Sequence, residues 1–386
     1  METTIQNLYS KIFYSTTKYV VLRNIFMLIT GVISIFIVRL LGPYEYGKYS
    51  LVWQLISTIG PIVSLGWLTT LAKFIPEKNT ILEKSKLFSQ SLTSVATAGV
   101  LFFIIVNFIK NFFPQLLPIE IKEDILIFSL FIIFVAFFNI FEGFWRGLGK
   151  FNEFVIIDGL RSNIGNIVGL FLLIFGFFSY KVIIKSNFLV SLIFLVFLLF
   201  SVRKYILIDI FAASKIEKYV IIFCLTSLLG QFSYMLSVNL DILLLRGILK
   251  DPQQVGYYTC GIKIPKMIET MFIAQIPAPI LYYFSLSNTS YLREKIFVFS
   301  SKILGFLFGI ISLVCFSFSD NIILFLFGEK FTNSIVVFKY FSLSLPFLAF
   351  AILFSPYYSS LNKPYIPLIF HFFTIVILCN LLNLFL

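Results

Sequence analysis

Lys263, Lys266 and Glu269 recur at three-residue spacing inside a stretch that is otherwise largely apolar. On a helix that spacing sets all three along one face. A charge at the centre of a bilayer costs at least about 2.5–3.5 kcal/mol on insertion scales, so each one kept there is a candidate for function. Two ammonium groups on one face suit an anion such as a diphosphate. They also suit a plainer arrangement, with Lys266 paired to Glu269 and the Lys263 amine reaching for the interface. The same two readings apply to Arg23 beside Asn24, one turn into the first apolar stretch, and to Lys302, which has no partner at helical spacing. Asp158 and Arg161, three apart, and Glu142 and Arg146, four apart, are spaced to neutralise each other. Asp241 stands near the end of the seventh stretch, in reach of Arg246, as an ion-coupling group or an ion-pair partner.

Uncharged polarity gathers in the second, seventh and eighth stretches, with Gln54, Ser57, Thr58, Gln231, Asn239 and Gln275 among its members. Such groups suit sugar hydroxyls in a wet cavity, or helix-to-helix packing. Little else here does chemistry. Cys224, Cys260, Cys315 and Cys379 are isolated within apolar segments, with neither metal-ligand nor redox spacing. His371 is the sole histidine, and the bland reading is a packed side chain at a helix contact. No phosphate-binding loop or serine–histidine–acid set is visible, and the chain is expected to need neither metal nor cofactor.

Eleven apolar stretches must position these residues. They lie at about 20–41, 46–72, 86–109, 124–145, 153–178, 183–201, 218–245, 254–284, 294–318, 334–356 and 363–386. Hydrophobic residues make up 59% of the 386, above the roughly 45–50% of soluble domains. A helix needs about 20 apolar residues to cross a core of about 30 Å. No alternating barrel pattern is present, so the chain reads as a polytopic, all-α membrane protein. Leu101–Ile105 and Leu192–Phe200 are almost wholly apolar and are expected to face lipid. The net charge of +12 sits in the connections, where it sets orientation and attracts anionic headgroups rather than nucleic acid. Fifteen Lys and Arg fall on the N-terminal side of the connections and ten on the other, which predicts a cytoplasmic N-terminus. Gly60-Pro61, Pro265, Pro277, Pro279 and Pro346 are expected to break helical hydrogen bonding.

The chain also repeats itself. Gly42-Pro-Tyr-Glu-Tyr-Gly-Lys-Tyr49 lies on Asp251-Pro-Gln-Gln-Val-Gly-Tyr-Tyr258, so that Pro43, Gly47 and Tyr49 meet Pro252, Gly256 and Tyr258 at one offset. Leu148-Gly-Lys150 matches Leu361-Asn-Lys363 more weakly. Both copies of the first motif follow odd-numbered stretches, which predicts parallel repeats about an axis along the membrane normal. The expected lobes are residues 1–202 and 218–386, joined by a basic linker at 203–217 whose Tyr205–Phe211 segment lies along the membrane surface.

Arg39-Leu-Leu-Gly-Pro-Tyr-Glu-Tyr-Gly-Lys-Tyr49 resembles the arginine-leucine-glycine-proline, glycine-x-tyrosine signature of Wzx-type polysaccharide flippases. These belong to the multidrug/oligosaccharidyl-lipid/polysaccharide (MOP) exporter superfamily. Ala72-Lys-Phe-Ile-Pro-Glu77 is similar to that family's second-span end, and Asp241–Arg246 followed by Val255–Tyr258 to its seventh-to-eighth connection. The resemblance covers nearly the whole chain. It implies two bundles of about six helices in a MATE-like architecture, around a cavity that opens to either side in turn. It implies an undecaprenyl-diphosphate-type lipid-linked oligosaccharide as substrate, in a bacterial plasma membrane. It further implies membrane lipids, a polymerase and glycosyltransferases as partners. The cavity would hold the diphosphate on Lys263, Lys266, Arg23, Lys302 and Arg161. Asn24, Gln54, Asp158, Gln231, Asp241, Glu269 and Gln275 would support it, and Arg39, Gly42, Pro43, Gly47, Tyr49, Gly256 and Tyr258 would form the gating motif. The family has twelve or fourteen spans; with eleven here, the second bundle is expected to be cut short. The alternatives are a multidrug extruder of the same superfamily, a flippase for the peptidoglycan precursor, and a membrane-embedded polymerase, which would be expected to carry a larger outer loop.

Overall fold

The computed structural model describes residues 2–203, 205, 216–273, 290–354, 357, 358, 361, 366 and 369, with the backbone alone at 2–17, 234, 237 and 290. Among the described residues every regular element is helical. Among the described residues six helices are long and apolar enough to cross a membrane, or up to eight if each bent pair is one span. Most of the expected stretch at 363–386, with His371 and Cys379, lies outside the described residues, as do Gln275, Pro277, Pro279, most of the 203–217 linker and most of the weaker repeat match at 361–363.

The expected first two spans are the two arms of one element, α1 (Glu2–Val63), which is non-helical inside only at Gly42. Gly42 has φ 71° and ψ 172°, a backbone state that a side chain disfavours. Pro43 then restarts the helix, its fixed φ suited to a first position where no amide hydrogen is needed. The second arm does not break at Gly60-Pro61. It runs on to Val63 and ends where Leu65 and Gly66 turn left-handed at φ 53° and 76°. Ser64 softens that ending by donating to the Pro61 carbonyl at 2.7 Å.

There follow α2 (Trp67–Glu77), α3 (Ile81–Phe112), the short α4 (Ile119–Lys122), α5 (Ile125–Gly147), α6 (Phe151–Ile174), α7 (Tyr180–Val202) and α8 (Lys218–Leu249). Thr80 and Glu83 form a reciprocal capping box at the start of α3, the sequence signature of a helix start. The chain continues with α9 (Pro252–Ile268), a π-helical turn (Glu269–Ile273), α10 (Ser290–Ser317), α11 (Ser319–Phe327), α12 (Ser334–Ser342) and α13 (Leu345–Ala351). Pro265 does not end α9; the helix passes through it and loosens into the π turn four residues on, a register change that absorbs a missing amide. Pro346 sits in the first turn of α13, after a bend of 43° from α12.

Two compact units result. One comprises Met1–Ile33 with Leu51–Asn239, the other Ser34–Ser50 with Leu240–Leu386. The middle of α1, including the first copy of the repeated motif, therefore groups with the second half of the chain, and the start of α8 with the first.

In the first unit α2 packs on α5 and α6 on α7. Phe88, Phe131, Phe141, Phe144 and Trp145 are fully buried there, with the Phe88 and Phe144 rings 4.6 Å apart. The α6–α7 seam is polar: Asn187 donates to Asn166 Oδ1 at 3.1 Å and Ser186 to the Gly165 carbonyl at 3.0 Å. In hydrocarbon such bonds hold helices together where apolar contact gains little. Leu101, Ile104 and Ile105 are exposed as expected. The 192–200 stretch is exposed along one face only, because Leu195 and Leu198 turn into the unit. In the second unit α9 packs on α12 and α10 on α13. Its cores are Ile242, Val255 and Ile262 in one cluster and Ile273, Phe308, Leu345 and Ala349 in another.

Candidate functional site

In the second unit the two copies of the repeated motif cross each other. Both are helix starts with proline in the first turn, Pro43 after the Gly42 break and Pro252 after the Asp251 cap, whose carboxylate accepts from the Gln253 amide at 2.9 Å. Gly47 and Gly256 sit in the second turn of each. A Cβ on Gly47 would fall on the Pro252 carbonyl oxygen, and one on Gly256 on the Pro43 carbonyl oxygen. The contact is thus reciprocal at matching positions. Ser50 and Thr259 are also one repeat apart, and their hydroxyls meet at 3.2 Å. Each hydroxyl bonds the carbonyl four residues back, Tyr46 and Val255, both at 2.8 Å. Counterparts that meet while their neighbours contact each other reciprocally mark a twofold relation. The crossing therefore has local two-fold symmetry, with Ser50 and Thr259 at its centre.

Lys263 lies one turn beyond Thr259. Its ammonium donates to the Tyr46 hydroxyl at 3.2 Å and stands 5.3 Å from the centre of that ring. Tyr46 itself is buried, stacked 6.1 Å from Tyr49 and set edge-on to Phe331 at 6.4 Å. Among the described residues no carboxylate lies within ion-pair distance of Lys263. The neighbouring cation is different. Lys266 Nζ is 3.6 Å from Asp241 Oδ2, which also accepts from the Tyr258 hydroxyl at 2.8 Å. Lys266 is therefore paired across helices with Asp241 and also acts electrostatically on Glu269, and Asp241 is held by Lys266 and Tyr258. Glu269 opens the π turn.

Arg39 is exposed, with its guanidinium beside Gly328. Lys302 is exposed on α10, where with Tyr291, Lys295 and Phe299 it borders a cleft of about 600 Å³.

In the first unit Arg161 donates to Asp158 at 2.6 Å and to the Ser191 hydroxyl at 3.0 Å, and lies over the Phe138 ring at 4.5 Å. Glu142 and Arg146 pair as their spacing predicts. Arg23 and Asp158 both act electrostatically on Glu142. Three cations thus share two carboxylates, and the exposed Arg23 supplies the excess. Gln54, Asn24 and Gln231 are half-buried. Thr58 of the polar second stretch accepts from Asn239 of the seventh at 2.9 Å, so part of the polarity there joins helices.

The structure brings together Lys263, Gly47, Tyr49 and Gly256 at one crossing and Asp241, Tyr258 and Lys266 at a second cluster. It leaves Arg23, Asp158 and Arg161 in the other unit. Tyr46 is the contact residue at this crossing that sequence reasoning missed; its only signal was its place inside the repeated motif, three residues before Tyr49. Asn163 was missed as well. It donates to the Gly159 carbonyl at 2.8 Å and accepts from Thr30 at 3.0 Å.

No curated protein matches the chain significantly in sequence. The solved structures that resemble it are membrane transporters. An inward-facing multidrug resistance MATE family transporter of the MOP superfamily superposes with a TM-score of 0.73 at 18% identity, covering 91% of this chain and 84% of the other. The lipid II flippase MurJ, in an inward closed conformation, gives 0.68 at 16% identity over 91% and 78%. A MOP superfamily transporter from Pyrococcus furiosus gives 0.66 at 16% identity over 92% and 84%. The chain thus shares the fold of the MOP exporters and is a multi-pass membrane protein. The family of polysaccharide biosynthesis proteins matches residues 36–336, and with that match over most of its length this chain belongs to that family.

Proposed function

We propose that the protein is a flippase. It carries a polyprenyl-diphosphate-linked oligosaccharide across the bacterial plasma membrane by alternating access, for surface polysaccharide of O-antigen or capsule type, with its N-terminus in the cytoplasm. One observation carries this reading. Lys263 sits on α9, held by a phenol and, among the described residues, by no carboxylate, while Lys266, Arg146 and Arg161 are each paired with one. A half-buried cation without an anion gains when an anion comes to it. A diphosphate headgroup is such an anion, and the exposed Arg23, one of three cations sharing two carboxylates, adds surplus positive charge in the other unit. The likeness to a lipid II flippase in fold and the family match support a lipid-linked substrate. No group capable of bond-making chemistry is needed, because the cargo changes sides and not structure. Enzymes that assemble the sugar-lipid and a polymerase that consumes it are the expected partners.

The test is deletion of the gene with analysis of lipid-linked intermediates by mass spectrometry and leaflet accessibility. Sugar-lipid is expected to accumulate on the inner leaflet and to be cleared by the wild-type gene. Lys263→Gln is expected to restore clearance poorly and Lys263→Arg substantially. Unchanged sugar-lipid with altered efflux of cationic dyes would overturn the reading in favour of a drug exporter.

A further inference from the structure

Resting on the transport reading, we propose that the crossing of the two motif copies is a separable clasp: residues 34–50 leave α9 in one part of the cycle, and on return Tyr46 caps Lys263 and displaces the anion it held. Three observations lead there. The segment belongs to the second unit by contact, yet the chain enters and leaves it through the first unit at Ile33 and Leu51. Its seat is made by glycine against carbonyl oxygen, Gly47 on Pro252 and Gly256 on Pro43. At the two glycines such a seat fits flush when closed and loses no side-chain interlock when opened. The side-chain hydrogen bonds described across it are Ser50 with Thr259 and Lys263 with Tyr46, neither with a charged acceptor.

The second of those bonds links the clasp to the cargo. The Tyr46 hydroxyl lies where an oxygen of an anionic headgroup would accept from Lys263. Phenol and anion therefore compete for one ammonium, and a ligand shifts a conformational equilibrium only by its differential affinity for the two states. Anion on Lys263 favours the open clasp; the closed clasp favours release.

Ser50→Cys with Thr259→Cys tests this, in full-length protein whose four native cysteines are alanine, expressed in the host deleted for the gene. The hydroxyl separation of 3.2 Å puts the two positions within disulfide reach. Oxidation with copper-phenanthroline is expected to abolish surface polysaccharide and dithiothreitol to restore it, while the single variants ignore the oxidant. Cross-linked protein that sustains parental levels of polysaccharide would overturn the clasp and leave the flippase reading intact. A second arm needs no cargo. In purified protein in nanodiscs, Ser50→Cys is expected to react with a membrane-impermeant maleimide about tenfold faster when Gly47→Ala is added, because the clasp then cannot seat. Tyr46→Phe should raise the rate as well, without a steric clash, and covers the case of a Gly47→Ala protein that fails to fold. Equal rates in the variants that fold would overturn the clasp. If the wild-type gene restores no polysaccharide, the flippase reading fails while the labelling still decides the clasp.

Discussion

Asp241 Oδ2 stands 3.6 Å from Lys266 Nζ and 2.8 Å from the Tyr258 hydroxyl, so one carboxylate oxygen serves a cation one helix away and a phenol seventeen residues along the chain. Asp241→Asn keeps an acceptor for Tyr258 and removes the charge that Lys266 answers. Half-buried pairs lose more on one-sided removal than on joint replacement. The variant is expected to lose about 2 kcal/mol of stability, and Lys266→Met on top of it to recover part of that. Thermal unfolding in detergent measures both.

Arg161 makes a fork that lysine cannot copy. It reaches Asp158 and Ser191 and covers Phe138 at once. Arg161→Lys is expected to cost about 1–2 kcal/mol despite the kept charge. Ser191→Ala should cost about 1 kcal/mol, since it deletes one bond to a charged donor.

At Gly42 the expected defect is conformational. With φ at 71° and ψ at 172°, an alanine there is strained by about 1–3 kcal/mol whatever space surrounds it. Gly149, also at positive φ with nothing near its missing Cβ, provides a control of the same kind outside the motif. A loss at Gly42→Ala with surface polysaccharide falling further than at Gly149→Ala would tie the break to transport as well as to stability.

Thr58→Val removes the acceptor of a buried amide. Asn239 is then left with a desolvated donor, at a cost of about 1 kcal/mol. Asn239→Leu added to Thr58→Val should return much of it, and a double-mutant cycle on unfolding temperature gives the coupling.

Apolar length made most of the spans legible: α3, α5, α6, α7 and α10 stand close to their expected positions because lipid imposes length regardless of partner. Ion pairs at three- and four-residue spacing were legible for the same local reason, as at Asp158–Arg161 and Glu142–Arg146. Local spacing told only part where the helix changed register. Lys266 and Glu269 are three apart and do act on each other electrostatically, but the π turn begins at Glu269, and Lys266 also answers a carboxylate on α8. Gly60-Pro61 misled in the opposite direction. Proline weakens a helix without deciding where it ends, and the left-handed pair Leu65-Gly66 decided it. The repeat was visible as three matched residues, but not that the copies touch. Tyr46 and Lys263 are 217 residues apart, and nothing in either neighbourhood names the other.

The meeting of Ser50 with Thr259 reaches back to the origin of the chain. A surface that closes on a copy of itself needs only one sequence to build it. A half-length ancestor bearing a single motif would already have paired with its twin through that patch, so fusing two genes had to invent no new seam, only to let its two sides drift apart. Val255 opposite Tyr46, and Gln54 opposite Lys263, are two places where the sides now differ.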